Sequence, residues 1–408
     1  IPPSACQRWS PDERSGHAQD RPWHRVSYTT PRDMIPGYEE HETAKLVAEH
    51  LHASGVDEVH TGIGGTGVVG VVAGRKVGAG RCIGLRAELD CLALDETTGL
   101  PWASRRPGLM HACGHDGHVA ILLAAASYLA TTRDFAGTVC FVFQPAEEGG
   151  AGAKAMIDDG LLTRFPLEAV YAIHNAPWIP SGEMAVNPGP MMAAADHFRI
   201  TVAGSGGHGG MPHLGADAIL AAAQVVVGVQ SIVARHVDPF EAAVVSFGAI
   251  QAGSMRQHSV MPARADLIGT VRTYSPDVQE AIESLMGRVV AHTCEGLGVS
   301  GALEYARWYP ATINHPREAG IALEAGADVF GARSCRSGVK PSTAGEDFAF
   351  LLRERPGAYV WLGQGRTGSA SLHSPNYDFD DRLIPPGAAL LACIAERELA
   401  VEGSVVRA

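Results

Sequence analysis

The chain has 408 residues, 46% of them apolar and 19% charged, a composition that builds a packed core and excludes general disorder. At roughly 100–200 residues per domain, the length allows two or three domains. A formal net charge of −12 argues against a nucleic-acid or anionic-membrane partner, because both require a basic face.

The first 35 or so residues are rich in Pro, Ser, Arg and His and carry no apolar periodicity, so they read as an irregular arm and not as a secretory signal. The cysteines are scattered with no CxxC pair, which reads as reduced thiols in a cytoplasmic protein. Residues 39–54 space Ala44, Val47, Ala48 and Leu51 at helical intervals, and Gly55 stops the helix. Gly62, Gly64 and Gly67 then match G-x-G-x-x-G. A dinucleotide site needs a helix after the glycines, whereas VVGVVAG is strand-like, so a glycine-rich turn between strands is expected.

Four apolar segments run into polar residues. Ile83–Ala87 leads to Glu88 and Asp90, Thr138–Phe143 to Glu147 and Glu148, Ala169–Ile173 to His174, and Tyr359–Leu362 to a Gly-rich loop and His373. Helical stretches at His118–Ala130, Ala151–Asp159 and Arg317–Phe330 alternate with them, which implies an α/β domain with a largely parallel sheet. Ligands bind beyond the carboxyl ends of such strands, where these polar clusters fall. The middle of the chain reads β-α-β-β-α-β, the order of a ferredoxin-like α+β unit. The expected organisation is an arm at 1–35, a discontinuous catalytic domain at 36–189 and 311–408, and a domain inserted at 190–310.

The densest chemical signal is MHACGHDGH at 110–118, which offers His111, Cys113, His115, Asp116 and His118. Thiolate and imidazole suit zinc and neighbouring ions. A structural zinc site would need a second cluster, and none follows. A cysteine nucleophile remains open, because Cys113 lies just before a helix N-terminus that would lower its pKa. A catalytic metal site needs further ligands, and Glu147–Glu148, His174 and His373 can supply them. Two adjacent carboxylates can divide two jobs, one holding metal and the other taking a proton from an activated water. Asp90, at a strand end, can accept the free N–H of His115 and fix its tautomer.

These stretches, with GLRAELDCLAL at 84–94, FQPAEEGGAGAKAMI at 143–157, AIHNAP at 172–177, GSGGHGGMPH at 204–213, GTVRT at 269–273, AGEDFAF at 344–350 and LHSPNYDFDD at 372–381, resemble the metal-dependent amidohydrolases of the hippurate hydrolase, aminoacylase and indole-acetyl-amino-acid hydrolase family. The resemblance implies two divalent ions per chain, zinc first with manganese, cobalt or nickel as alternatives, bridged by Cys113. It places His115 and His174 on one ion and Glu148 and His373 on the other, with Glu147 as general base. It also implies an inserted lid that forms a homodimer or homotetramer, with His208 reaching a neighbouring subunit's site to polarise the scissile carbonyl. Arg272 would pair with the substrate carboxylate, and Ser259 stands where the family usually has a substrate-holding Asn. Glu88 replaces the more usual Asp, and the family's His-x-x-Pro-Glu motif before Glu39–Glu40 is missing.

The expected activity is metal-dependent hydrolysis of the amide bond of N-acyl-L-amino acids by a cytoplasmic enzyme. A dipeptidase or carboxypeptidase on the same site is the alternative within enzymes, and a non-catalytic metal- or ligand-binding homologue is the alternative outside them.

Overall fold

The computed structural model describes residues 37–401 except Ala79, so the expected irregular arm at 1–35 lies outside the described residues. The described residues divide into two units, one within residues 37–191, 313–340 and 347–401, the other comprising residues 192–312 and 341–346.

In the first unit, helix α1 (His41–Ala53) is followed by the antiparallel hairpin β1 (Glu58–Ile63) and β2 (Gly67–Ala73). The glycine-rich motif is therefore the turn of a hairpin, as its strand-like sequel requires. Strand β3 (Cys82–Glu88), helix α2 (His115–Thr132), strand β4 (Thr138–Gln144), helix α3 (Gly152–Asp158), strand β5 (Ala169–Pro180) and the short β6 (Met184–Ala185) come next.

The second unit contains β7 (Ala194–Ala203), β8 (Gly207–His208), α4 (Ala218–His236), β9 (Ala243–Ala252), β10 (Val260–Met261), β11 (Arg264–Thr273), α5 (Pro276–Gly296) and β12 (Ser300–Tyr309). The chain then returns to the first unit with α6 (Pro316–Phe330), β13 (Cys335–Arg336), α7 (Phe348–Glu354), β14 (Gly357–Gly365) and α8 (Ile384–Glu398).

The first unit's sheet has the order β1-β2-β4-β3-β5-β14-β6-β13. Its centre, β4-β3-β5-β14, is parallel throughout. Central strands buried on both faces read as continuous apolar runs, and every residue of β3 is buried. Helix α2 is apolar on nearly all sides, which only a helix packed inside other layers sustains. It lies against the sheet and against α8.

The pairing of β3 with β5 runs only from Ile83/Ala169 to Arg86/Ala172, while β5 continues beside β14 through His174, opposite Trp361. His174 therefore lies inside a strand and not at its end, a correction to the expected Ala169–Ile173. Beyond Ala172 the two central strands no longer pair, the position at which sheets of this kind offer a ligand crevice.

The second unit is a four-stranded antiparallel sheet of order β9-β11-β7-β12. Along β7, Phe198, Ile200 and Val202 are buried while His197 and Arg199 point outward, the period-two pattern of a half-covered sheet. Helices α4 and α5 cover the buried face. Asp217 caps α4 by accepting the Ile219 and Leu220 N–H groups, and Ser275 with Pro276 starts α5.

Six cysteines, Cys82, Cys91, Cys113, Cys140, Cys294 and Cys335, are free thiols.

Candidate metal centre

The HACGHDGH segment turns sharply into α2. Gly114 adopts φ +87°, and a Cβ there would sit 2.6 Å from both Asn175 Oδ1 and Tyr377 OH. At Gly117 a Cβ would lie 2.4 Å from three atoms of the Phe379 ring. Glycine at both positions lets the first turn of α2 press into the crevice, and that turn carries His115.

Two triads converge there and share Cys113. The ligand atoms of Cys113, His115 and His174 lie within 4.8 Å of one another, as do those of Cys113, Glu148 and His373. Cys113 Sγ is 3.4 Å from His174 Nε2, and His373 Nε2 is 3.1 Å from Glu148 Oε1. His373 is held in place by its own N–H, which donates to Ala112 O at 2.8 Å, and it occupies the left-handed region at φ +60°. Such backbone costs about 1–3 kcal/mol and persists where the surroundings over-determine it.

The imidazole tautomers follow from their partners. His174 Nδ1 lies 2.8 Å from Asn175 O, and His115 Nδ1 lies 3.0 Å from Asp90 O. Carbonyls only accept, so each ring donates from Nδ1 and turns Nε2 into the crevice, as a lone pair in the neutral ring of His174 and as a site whose proton a cation would displace in His115. His115 Nε2 is buried without a hydrogen-bond partner among the described residues, and Glu148 Oε1 meets His373 Nε2. An orphaned imidazole nitrogen of this kind, beside a thiol, a second imidazole and a carboxylate, fits a pair of divalent cations.

The electrostatics agree. Burial alone would lower the pKa of His115, but hydrogen bonding to Asp90 and the charges of Glu88, Asp90 and Glu148 bring it up to about 10. The crevice thus carries an excess of negative charge that attracts cations. Burial pushes the Cys113 thiol well above its ordinary value, and the charges of Glu148 and Glu147 push it further. The expected lowering by a helix N-terminus is overridden, which removes the support for a free cysteine nucleophile; a coordinated cation is what would ionise this thiol. Burial holds His174 well below the ordinary value, neutral and suited to ligation.

Asp90 differs from expectation in detail. The nearer acceptor for His115 is its carbonyl, while its carboxylate Oδ1 stands 3.3 Å away. Oδ2 instead accepts the Glu148 N–H at 2.8 Å, fixing the loop that carries both glutamates. Glu147 is buried, and its Oε1 receives the Asp347 N–H at 3.4 Å.

A further set, Glu88, His115 and His118, also clusters within 4.8 Å. There Glu88 binds Arg86 and His118 Nδ1, and His118 Nε2 lies 2.7 Å from Asn175 Oδ1, so both nitrogens of the His118 ring are already engaged. Burial would raise the Glu88 carboxyl, but Arg86 and His118 hold it well below the usual range. Sequence reasoning assigns no role to Arg86, His118, Asn175 or Asp347. The signal available is a charged pair, Arg86 and Glu88, inside a strand otherwise apolar enough to be central.

In the second unit, His208 is exposed on β8, which pairs with β10 so that His208 faces Val260, next to Ser259. Its Nδ1 accepts the Gly210 N–H at 3.0 Å. Arg272 lies near the end of β11, where its Nε donates to Thr343 O at 3.1 Å. Cys113, His115, Glu147, Glu148, His174, His373 and Asp90 are thus gathered in the first unit, while His208, Ser259 and Arg272 belong to the second.

A largely parallel sheet flanked by two cation-ligating triads that share one thiol fits a metal-dependent hydrolase. Residues 84–397 match Peptidase family M20/M25/M40. The chain is 39% identical to a hippurate hydrolase of Campylobacter jejuni, with 89% of this chain and 93% of that protein covered. It is 35% identical to an N-acetylcysteine deacetylase of Bacillus subtilis, with 88% and 92% covered. A solved Bacillus subtilis structure, described as a dinuclear metal binding peptidase from the M20 family, superposes with a TM-score of 0.80 at 31% identity, covering 92% of this chain and 97% of that one. The chain belongs to the M20/M25/M40 peptidase family and is a metal-dependent amidohydrolase.

Proposed function

We propose that this enzyme hydrolyses the amide bond of N-acyl-L-amino acids, with water as the nucleophile and Glu147 as general base. The observation that carries this reading is the pair of triads joined at Cys113, a thiol set between two ligand groups. Relatives named for hippurate and N-acetylcysteine support the substrate class.

Cys113, His115 and His174 would hold one divalent cation and Cys113, Glu148 and His373 the other. A thiolate, imidazole and carboxylate set favours zinc, with manganese, cobalt or nickel as competitors. Such a pair supplies Lewis acidity toward the acyl oxygen and toward water. The protein's own groups do the rest. Asp347 N–H orients Glu147, Glu147 takes the water proton and delivers it to the leaving amine, and the amide tether from Asp90 holds the glutamate loop in place. We assign Arg272 and Ser259 to substrate binding and His208 to polarising the scissile carbonyl of a partner subunit.

Assembly as a homodimer or homotetramer through the second unit is part of the proposal. Its support is the apolar surface along edge strand β9 and helix α4, where Val244, Ile250, Ile219, Leu220 and Val227 are exposed. A cytoplasmic location is proposed from the six free thiols, and cell fractionation tests it.

The deciding experiment is a panel of N-acyl amino acids and dipeptides with enzyme of defined metal content. Turnover of the acyl amino acids supports the reading. Preference for dipeptides would move it to a peptidase, and bound metal without hydrolysis of any substrate would refute it.

A further inference from the structure

The loop carrying Glu147 and Glu148 is hung from carboxylates. Asp90 takes the Glu148 N–H, and on the other side of Glu147 the Ala146 N–H donates to Glu40 Oε1 at 3.1 Å. Glu40 lies more than a hundred residues away in sequence, immediately before α1, and its side chain is fully buried. Oε1 also accepts the Tyr38 N–H at 3.0 Å, and Oε2 accepts the Thr66 hydroxyl, which comes from the β1–β2 turn.

The residue Glu40 grips is unusual. Ala146 has φ +52°, a left-handed conformation that an alanine adopts at a cost of about 1–3 kcal/mol. Its carbonyl accepts the N–H groups of Gly150 and Gly152, so the loop folds back over it. A Cβ at Gly150 would lie 2.5 Å from the Ala146 Cβ. The loop therefore packs tightly back onto this strained alanine, and Glu147 follows it directly.

We infer that Glu40 is a positioning residue for Glu147: by accepting the Ala146 N–H it fixes the left-handed turn that aims the general base. The inference rests on the reading of Glu147 as base, but it has a readout of its own in loop protection.

The test compares Glu40→Gln with Glu40→Asp. A glutamine keeps one carbonyl oxygen for the Ala146 N–H and can donate to the Thr66 oxygen, so kcat should stay within about threefold of the parent. An aspartate is one methylene short and cannot span Ala146 and Thr66 together. Its kcat should fall about tenfold or more, with KM within about twofold and bound metal unchanged. Hydrogen exchange across residues 144–152 should accelerate about tenfold in Glu40→Asp and not in Glu40→Gln. Parent-like kcat and exchange in Glu40→Asp would overturn the inference, as would equal losses in both variants with matching loss of metal. If Glu40→Asp does not fold, Thr66→Val, which removes the Oε2 partner, must reduce kcat and protection in the same direction, and parent-like values there overturn it too. Full activity in Glu147→Gln would sink the base reading, whereas the exchange comparison would still decide independently whether Glu40 holds the loop.

Discussion

Replacing Glu147 by glutamine removes one charge and one proton acceptor while leaving the shape of the site intact. The amide oxygen can still receive the Asp347 N–H, which meets Glu147 Oε1 at 3.4 Å. The tethers at Ala146 and Glu148 act on backbone N–H groups and do not involve this side chain. Neither triad that shares Cys113 includes Glu147, although its carboxylate also lies within 4.8 Å of the ligand atoms of His115 and Glu148, so both cation positions keep the ligands assigned to them. The expected loss is therefore that of general-base catalysis alone, about 10²–10⁴ in kcat, with little added from misplacement. At 1.36 kcal/mol per factor of ten, that is roughly 3–5 kcal/mol of transition-state stabilisation. The assay is steady-state hydrolysis of an N-acyl amino acid, with bound metal measured on the same preparation. A variant with parent-like kcat and a full metal complement would refute the assignment of the base. A drop that merely tracks metal loss would instead make Glu147 a ligand.

Exhaustive chelation should abolish turnover and lower the melting temperature, and zinc returned at about 100 times its Kd should restore about 2.7 kcal/mol of stability for each site it fills; unchanged activity after chelation excludes a metal enzyme. Gly117→Ala should destabilise by about 1–3 kcal/mol through overpacking against Phe379, whereas Gly320→Ala in α6, where a Cβ meets nothing within 4 Å, should stabilise by about 0.5–1 kcal/mol. Urea titrations of the two variants test both signs. Burial would raise the pKa of Glu398, but hydrogen bonds from Arg317, Tyr171 and Arg81 hold it below the ordinary value. Its contribution is present above the unfolded glutamate value of about 4.3 and is lost as pH falls through the lower folded value; the stability gap between the parent and Glu398→Gln should close on acidification, and a constant gap contradicts the shift. Mixing His208→Ala with Glu147→Gln subunits should recover activity if each site borrows the histidine of its partner, and no recovery would end that proposal.

Much of the architecture is local and therefore legible in the sequence. The apolar runs of β3 and β4 suit only central strands, the capped segments starting at Asp217 and Pro276 suit only helices, and the β-α-β-β-α-β order follows from their succession. The chemistry of HACGHDGH is legible for the same reason, since a thiol and imidazoles within eight residues narrow what a site can bind. What the sequence does not supply is direction and environment. His174 reads as a strand end because its neighbours are apolar up to Ile173, but pairing with β14 carries the strand onward and presents Nε2 to Cys113. Asp90 reads as a carboxylate partner for His115, yet the fold offers its carbonyl first and commits Oδ2 to Glu148.

By itself, then, the order of residues determines which segments form strands and helices and which donor atoms are available, because propensity, periodicity and ligand chemistry act over a few residues. Only the tertiary structure decides which of those atoms meet. Burial, the parting of β3 from β5 and contacts between residues more than a hundred positions apart, such as Glu40 with Ala146, set the tautomers, the proton affinities and the aim of Glu147, and these depend on a three-dimensional field that no local pattern contains.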